Sequence, residues 1–372
     1  MRNLTRLARP VFRLLGRDDR GATLVLVAIL IAGGVLVGIG ALAIDVGRLY
    51  QNKAELQNGA DAGALAVAKS CISGTCNTAL DSSGVAQPEA TANASVLTGG
   101  NAGVDQILTC FSGQICTTPP GCPGPPAGGK GYVDVRTSTR LANGSTFLPP
   151  VFARAILGNS GYSGTNVKAC AQAEWGPALQ ANSIAMTMSY CAWNAATNGG
   201  TTFGPNVLTL VYLKNPGNST CFGPAGSVPG GFDWLSPTAS NVCNAIINLT
   251  TSTSYSDTGN NTSPACKADL YTDITSYLNG TPVTVYLPVF DAVSGTGSNL
   301  TYTLVGMAGF VPVGYSDLSG NPGDKLPKAY GNQCPASPND PCVKGYFTQA
   351  LDPVTTIGSG TNYGAEAAKL TG

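Results

Sequence analysis

The side chains with the most obvious chemical potential are twelve cysteines, in a chain of 372 residues that contains no histidine. The count is even and no C-x-x-C pair occurs, so the spacing of a zinc site or of a thioredoxin-like redox motif is absent. No cationic cluster lies beside a cysteine to lower its thiol pKa. An even count of this kind is typical of disulfides, which persist in oxidising compartments outside the cytoplasm. The sequence therefore predicts structural disulfides rather than redox catalysis.

The cysteines fall into local groups along the chain. The twelve disulfide candidates are Cys71/Cys76, Cys110/Cys116/Cys122, Cys221/Cys243/Cys266, Cys334/Cys342, and the pair Cys170 and Cys191 that flanks a predicted strand. Closing a loop of roughly 15 residues adds roughly 3 kcal/mol in the chain-entropy model, so short local disulfides would suit a Gly- and Pro-rich chain. We expect local pairing, but twelve cysteines allow about ten thousand connectivities and the sequence does not select one.

Other residues that could carry catalysis are few. The absence of histidine removes the Ser-His-Asp and Cys-His nucleophile systems and histidine-ligated zinc. Thr165 and Lys168 have the loose spacing of a Ser/Thr–Lys dyad, and Asp269 and Asp273 would share a helix face as a carboxylate pair does. Such spacings arise by chance in a chain rich in Thr and Ser, and surface carboxylate pairs are usually solvated. We expect no enzyme activity, no cofactor and no metal site.

Charge also narrows the classes of partner. Lys+Arg 20 balance Asp+Glu 20, so the formal net charge is zero and gives no general attraction to nucleic acid. Only 11% of residues are charged, against roughly 25% in ordinary soluble domains, while Gly 48 and Pro 25 are abundant. We expect a polar but uncharged surface, with no nucleic acid and no small-molecule substrate among the partners.

The elements that position these residues begin with a membrane segment. Six arginines lie in residues 1–20, and residues 22–44 follow without a charge. A helix over that apolar run spans roughly 35 Å, which exceeds a hydrocarbon core of roughly 30 Å. The positive-inside rule makes residues 1–20 a cytoplasmic basic segment, residues 21–44 a transmembrane helix and the rest extracytoplasmic. Gly34 and Gly38 form a small-xxx-small step that would let a second membrane helix pack closely.

A cleaved signal peptide is the alternative to a retained anchor. Ala41-Leu42-Ala43 satisfies the small-x-small pattern of signal peptidase, and cleavage would leave Ile44 as the mature N-terminus. The apolar run is longer than the roughly 7–15 residues usual in signal peptides, which favours a retained anchor. The sequence leaves cleavage open.

Beyond the membrane segment the chain changes character twice. Residues 45–70 contain no proline, and a 3-4 spacing of apolar residues predicts an amphipathic stalk helix that packs on a partner or on its own domain. That spacing consists of Val46, Leu49, Leu56, Ala60, Gly63 and Val67. Residues 71–372 predict a β-rich, disulfide-stapled domain, in which the Pro/Gly-dense residues 117–130 form a loop or a linker. The sequence leaves open whether this part is one domain or two.

Short apolar runs between turn residues predict the strands of that domain. The expected strands are residues 132–137, 184–188, 207–213, 282–290 and 300–313. The last two are separated by a turn-rich loop and should form an antiparallel hairpin. The tryptophans Trp175, Trp193 and Trp234, the last close to Phe232, are expected as buried anchors rather than as a ligand-facing patch.

The order of parts in residues 20–69 resembles the N-terminal module of TadE/TadG-like proteins of the Tad, or Flp-type, pilus-assembly system. An Arg-Gly opening precedes one membrane helix, and a polar motif and a run of small residues follow it. The matching positions are Gly21, Asp45, Gly47, Arg48, Tyr50, Leu56, Gln57, Asp61, Ala62 and Ala64. Such proteins usually carry Ala-Ala where this chain has Gly63-Ala64, a difference that should loosen the helix there.

The resemblance implies a bitopic membrane protein that takes part in a pilus-assembly, adhesion or secretion system by protein–protein contact. Its partners would be the lipid bilayer and other pilus-assembly or membrane proteins. The expected class is α+β, in which a transmembrane helix continues into an amphipathic helix and then into the β-rich domain. The alternative is a secreted adhesin or cell-surface binding protein released by cleavage after Ala43. Whether the chain polymerises, caps or scaffolds stays open.

Overall fold

The structure, a computed structural model, describes most of the chain after the first eighteen residues. The described residues are 19–76, 84–93, 95–96, 100–141, 143–147, 150, 152, 164–212, 234–239, 241–251, 254–256, 264–295, 301–316, 342–353 and 356–372. Residues 1–18 of the predicted basic segment, Phe232, Cys221 and Cys334 lie outside them. The described helices are α1 Asp19–Ile72, α2 Ala86–Asn93, α3 Tyr190–Thr197 and α4 Pro264–Leu278. The long N-terminal helix and the β-rich remainder confirm the α+β class.

One sheet lies against the N-terminal helix. Its strands are β1 Ser95–Val96, β2 Gly100–Phe111, β3 Gly131–Arg140, β4 Lys168–Pro177, β13 Ala350–Leu351 and β14 Ala365–Leu370. Their order is β1-β2-β3-β4-β14-β13, antiparallel except for the parallel pair β13/β14. The last strand of the chain therefore pairs with β4, almost 200 residues earlier in sequence.

A second sheet is built around the hairpin that the sequence predicts. The remaining strands are β5 Gln180–Ile184, β6 Met188–Ser189, β7 Thr209–Tyr212, β8 Asn244–Asn248, β9 Ser254–Ser256, β10 Val285–Ser294, β11 Thr301–Ser316 and β12 Cys342–Thr348. The order in this sheet is β6-β10-β11-β12-β7, with β9 paired to β11, and β5 and β8 form a separate pair. Strands β10 and β11 are antiparallel, which confirms the hairpin.

The predicted strand over residues 184–188 is wrong. Strand β5 ends at Ile184, and the backbone N–H of Met186 donates to the carbonyl of Ile184 at 2.7 Å, which turns the chain at Ala185. Ala185 itself bonds to Cys243 and Leu235 through its N–H and carbonyl. All five side chains from Ile184 to Met188 are buried, so the period-2 spacing of apolar residues here does not mark a strand with one exposed face, and the pattern alone was misleading.

Each sheet has its own hydrophobic core. Helices α1 and α2 cover the first sheet over a core of small residues and Trp175. Helices α3 and α4 pack on the second sheet around Trp193, Trp234 and the rings of Phe310 and Tyr302. All three tryptophans are buried, as expected of anchors.

The disulfides correct the expectation of purely local pairing. Cys71–Cys76, Cys110–Cys116 and Cys243–Cys266 join cysteines of the same local group. Cys122 instead pairs with Cys170, 48 residues away, with the two Cα atoms 5.2 Å apart. Cys191 and Cys342 are also disulfide-bonded.

The Cys122–Cys170 bond follows from the course of the Pro/Gly-dense segment. Residues 112–130 connect β2 to β3, which are neighbours in one sheet, so residues 117–130 form a hairpin loop. The loop folds back across β4, where the side-chain amide of Gln172 donates to the carbonyl of Gly124 at 3.2 Å. Sequence distance could not reveal this approach, because it depends on sheet pairing.

Candidate functional site

The candidate site is helix α1 together with the surfaces it contacts. Its first half presents large apolar side chains to the outside: Leu24 is 73% exposed, Leu30 66% and Leu36 70%. Among the described residues, α1 is the one helix long and apolar enough to cross a bilayer. Exposed apolar surface of this extent is unfavourable in water and favourable in a hydrocarbon core. The arrangement suits a membrane-spanning segment near the N-terminus.

The second half of α1 is buried against the first sheet and α2. The side chains with essentially no exposure repeat every three or four residues, as one face of a helix does: Leu56, Ala60, Ala64, Val67, Ala68 and Ile72. Half of them are alanines, so the helix axis can approach the sheet closely. The 3-4 spacing of apolar residues predicted a buried face that starts at Val46. In the structure Val46 is 40% exposed and Leu49 is half-buried, so the fully buried face starts later along the helix.

Two side-chain hydrogen bonds fix the helix to the sheet. Gln57 Nε2 donates to the carbonyl of Cys170 at 3.0 Å and to Asp61 Oδ1 at 2.8 Å. In the opposite direction, Thr137 Oγ1 on β3 donates to the carbonyl of Leu56 at 2.9 Å, with its side chain fully buried. Each such bond contributes about 1 kcal/mol, and each fixes the rotation of the helix. Gln57 and Asp61 come from the family pattern, whereas nothing in the sequence indicates Thr137.

Gly63 lies where α2 crosses α1. A Cβ atom at this position would lie 3.3 Å from the carbonyl oxygen of Ala86 and 3.3 Å from Cγ1 of Val135. From the sequence, glycine in place of the usual alanine is expected to loosen the helix here. In the fold it permits the backbone of α2 to approach the helix.

Asp45 marks the end of the apolar half. Its carboxylate accepts the backbone N–H of Phe152, at 3.0 Å to Oδ2 and 3.3 Å to Oδ1. Phe152 belongs to residues 141–167, which connect β3 to β4 and are called here the β3–β4 connection. Asp45 is largely buried although it is the first charged residue after the apolar run. This family-pattern residue therefore ties the helix to the sheet at the level where the membrane half ends.

The other residues singled out in sequence are less engaged with the rest of the fold. Gly21 and Gly47 are exposed, Tyr50 is 73% exposed, and Arg48 and Ala62 are partly covered. The carbonyl of Arg48 accepts Asn52 Nδ2 at 2.8 Å.

Gly34 and Gly38 lie in the apolar half of α1. No other described atom comes within 4 Å of where a Cβ would lie at either position. Close helix packing at these two glycines therefore stays a proposal.

The residues suspected of catalysis take structural positions. Lys168 Nζ lies 3.3 Å from Asp105 Oδ2, so the lysine of the Thr165–Lys168 pattern is engaged in an ion pair. On α4, partial burial and then the charge of Asp269 raise the pKa of Asp273 to about 6. Among the described residues, no group of three His, Cys, Asp or Glu side chains is placed to hold a metal ion.

Two buried carboxylates lie on the face of the first sheet that the Pro/Gly loop covers. Burial raises the pKa of Asp134, and the hydrogen bond from Gln172 Nε2 to Asp134 Oδ1 at 2.8 Å opposes that rise. Glu174 Oε1 lies 2.8 Å from Lys369 Nζ on β14. These groups couple β3, β4 and β14, and we assign them a structural role in holding the sheet together.

Comparison with known proteins finds a family match for helix α1 but none for the two sheets. Residues 21–70 match the family model described as putative Flp pilus-assembly TadE/G-like, and this range coincides with α1. No curated protein and no solved structure matches the chain. The resemblance of the N-terminal module is therefore confirmed over about 50 residues.

Proposed function

We propose that this chain is a single-pass, membrane-anchored structural component of a Flp-type pilus-assembly system, which acts by protein–protein contact and not by catalysis. The observation that carries the proposal is helix α1. Its exposed apolar half and its buried half form one uninterrupted helix, Asp19–Ile72, over the same span as the pilus-assembly family model. A rigid connection of this kind would hold the sheets at a fixed height and rotation above the bilayer.

The proposed topology places the N-terminus in the cytoplasm and both sheets outside it. Supporting it are the arginine-rich start and the disulfides, which form in oxidising compartments. The chain has no lysine before Lys53, so modification of lysine side chains, located by peptide mapping, reports only on the part after the anchor. The side chains of Lys130 and Lys168 are 48% and 46% exposed and are suitable targets.

The topology is tested with a membrane-impermeant amine reagent on two preparations of the same membranes. In spheroplasts, Lys130 and Lys168 should be modified, while inside-out vesicles should protect them until detergent is added. The reverse pattern would overturn the orientation. Equal modification in both preparations, together with recovery in the soluble fraction, would overturn the anchor.

The role in pilus assembly is tested by deletion of the gene in its host and by complementation. Full-length chain should restore surface pili counted by electron microscopy. A version in which residues 1–44 are replaced by a cleavable signal peptide should not, because the sheets would be released. Restoration by the released version, or a native N-terminus at Ile44, would favour the secreted adhesin instead. Unchanged pili after deletion would refute the pilus role.

A further inference from the structure

The β3–β4 connection presents aromatic side chains near the membrane half of α1. Phe147 is 48% exposed and Phe152 is 40% exposed. In sequence, residues 141–153 contain no charged residue and include the run Phe-Leu-Pro-Pro-Val-Phe at 147–152. Two exposed phenylalanines in a neutral segment would gain from an apolar neighbour, since burial of each ring from water is favourable in proportion to its apolar area.

The position of this connection along α1 is set by contacts on both sides. Thr137 is bonded to Leu56, and Val135 lies beside Gly63, so β3 runs antiparallel to α1 and its last residue, Arg140, lies toward the membrane half. The connection then continues from Arg140, and the N–H of Phe152 bonds the carboxylate of Asp45. Asp45 is the first charged residue after the apolar run, so Phe152 lies at the boundary of the proposed membrane span.

The backbone donors of both phenylalanines are already satisfied inside the protein. The N–H of Phe147 donates to Ser145 Oγ at 3.2 Å, and that of Phe152 donates to Asp45. The preceding turn is also closed, because the N–H of Leu141 donates to the carbonyl of Ser145 at 2.8 Å. In a lipid environment an unsatisfied backbone donor is strongly unfavourable. These two N–H groups could thus enter the interface without losing a partner.

From these observations we infer that the β3–β4 connection inserts Phe147 and Phe152 into the interfacial layer of the bilayer, as a second membrane contact beside α1. Aromatic side chains are enriched at that depth. Tyr50, five residues beyond Asp45 and 73% exposed, would lie about 7.5 Å above the boundary and belong to the same aromatic belt. The exposed Arg140 at the end of β3 suits the phosphates of the headgroups. The inference depends on the proposed anchor.

The experiment uses the full chain in nanodiscs and lipids brominated either near the headgroup end or near the methyl end of their acyl chains. Bromine quenches a nearby tryptophan, and the native Trp175, Trp193 and Trp234 are buried, which gives a low background. We expect loss of the added emission in Phe147→Trp and Phe152→Trp, greater with shallow bromines than with deep ones. The matched control is Ile115→Trp, a fully exposed apolar position in the loop at the opposite end of β3, about 30 Å along the strand. It should not be quenched.

A second control separates this inference from the proposed anchor. Leu30 lies in the middle of the apolar half, so Leu30→Trp should be quenched most by deep bromines. Quenching at position 30 but not at 147 or 152 would overturn the inference and leave the anchor intact, and the two rings would then be a surface for a protein partner. No quenching at position 30 would refute the anchor and the second contact together. Equal quenching at position 115 would refute a specific contact.

Discussion

Asp45 and Phe152 are joined by a hydrogen bond across 107 residues of sequence, in which the aspartate carboxylate accepts the backbone N–H at 3.0 Å. The bond connects the first turn of α1 after the apolar span to the connection between two central strands of the first sheet. It gives a structural reason for a charged residue that is largely buried immediately beside a membrane segment. A buried carboxylate needs such donors to offset the loss of hydration.

Removal of that acceptor should release the β3–β4 connection. We expect Asp45→Ala to destabilise this contact by about 1–2 kcal/mol, because the N–H of Phe152 loses a partner that carries a charge. Faster tryptic cleavage after Arg154, measured by mass spectrometry, would report the release. Asp45→Asn keeps an acceptor oxygen and should remain close to wild type. Equal cleavage rates in the two variants would contradict the assigned role.

Substitution of alanine for each of two glycines in α1 should change the stability of the protein in opposite directions. An alanine in a helix interior is favoured over glycine by about 1 kcal/mol, and Gly47 has free space around its Cβ position. At Gly63 the added methyl would press on Ala86 and Val135, and overpacking of a tight site typically costs about 1–3 kcal/mol. Urea unfolding followed by tryptophan fluorescence should rank Gly47→Ala above wild type and Gly63→Ala below it. A Gly63→Ala variant as stable as Gly47→Ala would show that α2 moves away without cost.

The long disulfide should contribute more stability than the short one beside it. The chain-entropy model assigns about 4 kcal/mol to a loop closed over the 48-residue separation of Cys122 and Cys170. The 6-residue separation of Cys110 and Cys116 corresponds to about 2 kcal/mol. Paired alanine variants of each bond, compared by urea midpoint, test the difference. Equal losses would indicate that the Pro/Gly loop stays on the sheet through Gln172 without the covalent bond.

Asp273 should make the second core sensitive to pH. Its pKa rises from 3.8 to about 6 on folding, so the folded state favours the protonated carboxyl. The stability this gives is fully present below pH 3.8 and is lost as the pH rises through about 6. At neutral pH, Asp273→Asn should therefore stabilise the chain by about 1 kcal/mol, a value reduced for its partial exposure.

The pH profile of the urea midpoint provides the measurement for this substitution. Wild type should lose stability between about pH 4 and pH 6 through this group, and Asp273→Asn should lack that component. Asp269→Asn is the matched control, because it removes the secondary cause and should leave a smaller component at lower pH. An unchanged slope in Asp273→Asn would refute the assignment.

Much of the architecture could be predicted from local patterns. The apolar run at residues 22–44, the helix beyond it and the β10–β11 hairpin each have a period or a length that one structure satisfies best. The pairing of β14 with β4 and of Cys122 with Cys170 could not be predicted, because each depends on which distant strands meet. The period-2 run at residues 184–188 was misleading for a related reason, because the fold buries all five of its side chains and turns the chain at Ala185.

The sequence alone determined that this chain has one apolar segment long enough to cross a bilayer, a family-like module over that segment and its continuation, and cysteines suited to an oxidising compartment. These properties depend on composition and on spacing along one helix, which are local. Only the tertiary structure decided that this continuation is not a free stalk. It packs against the first sheet and is held there by the hydrogen bonds of Gln57 and Thr137. It alone also brought Phe152 to Asp45, because contacts across 107 residues form only when strands, loops and helix pack together.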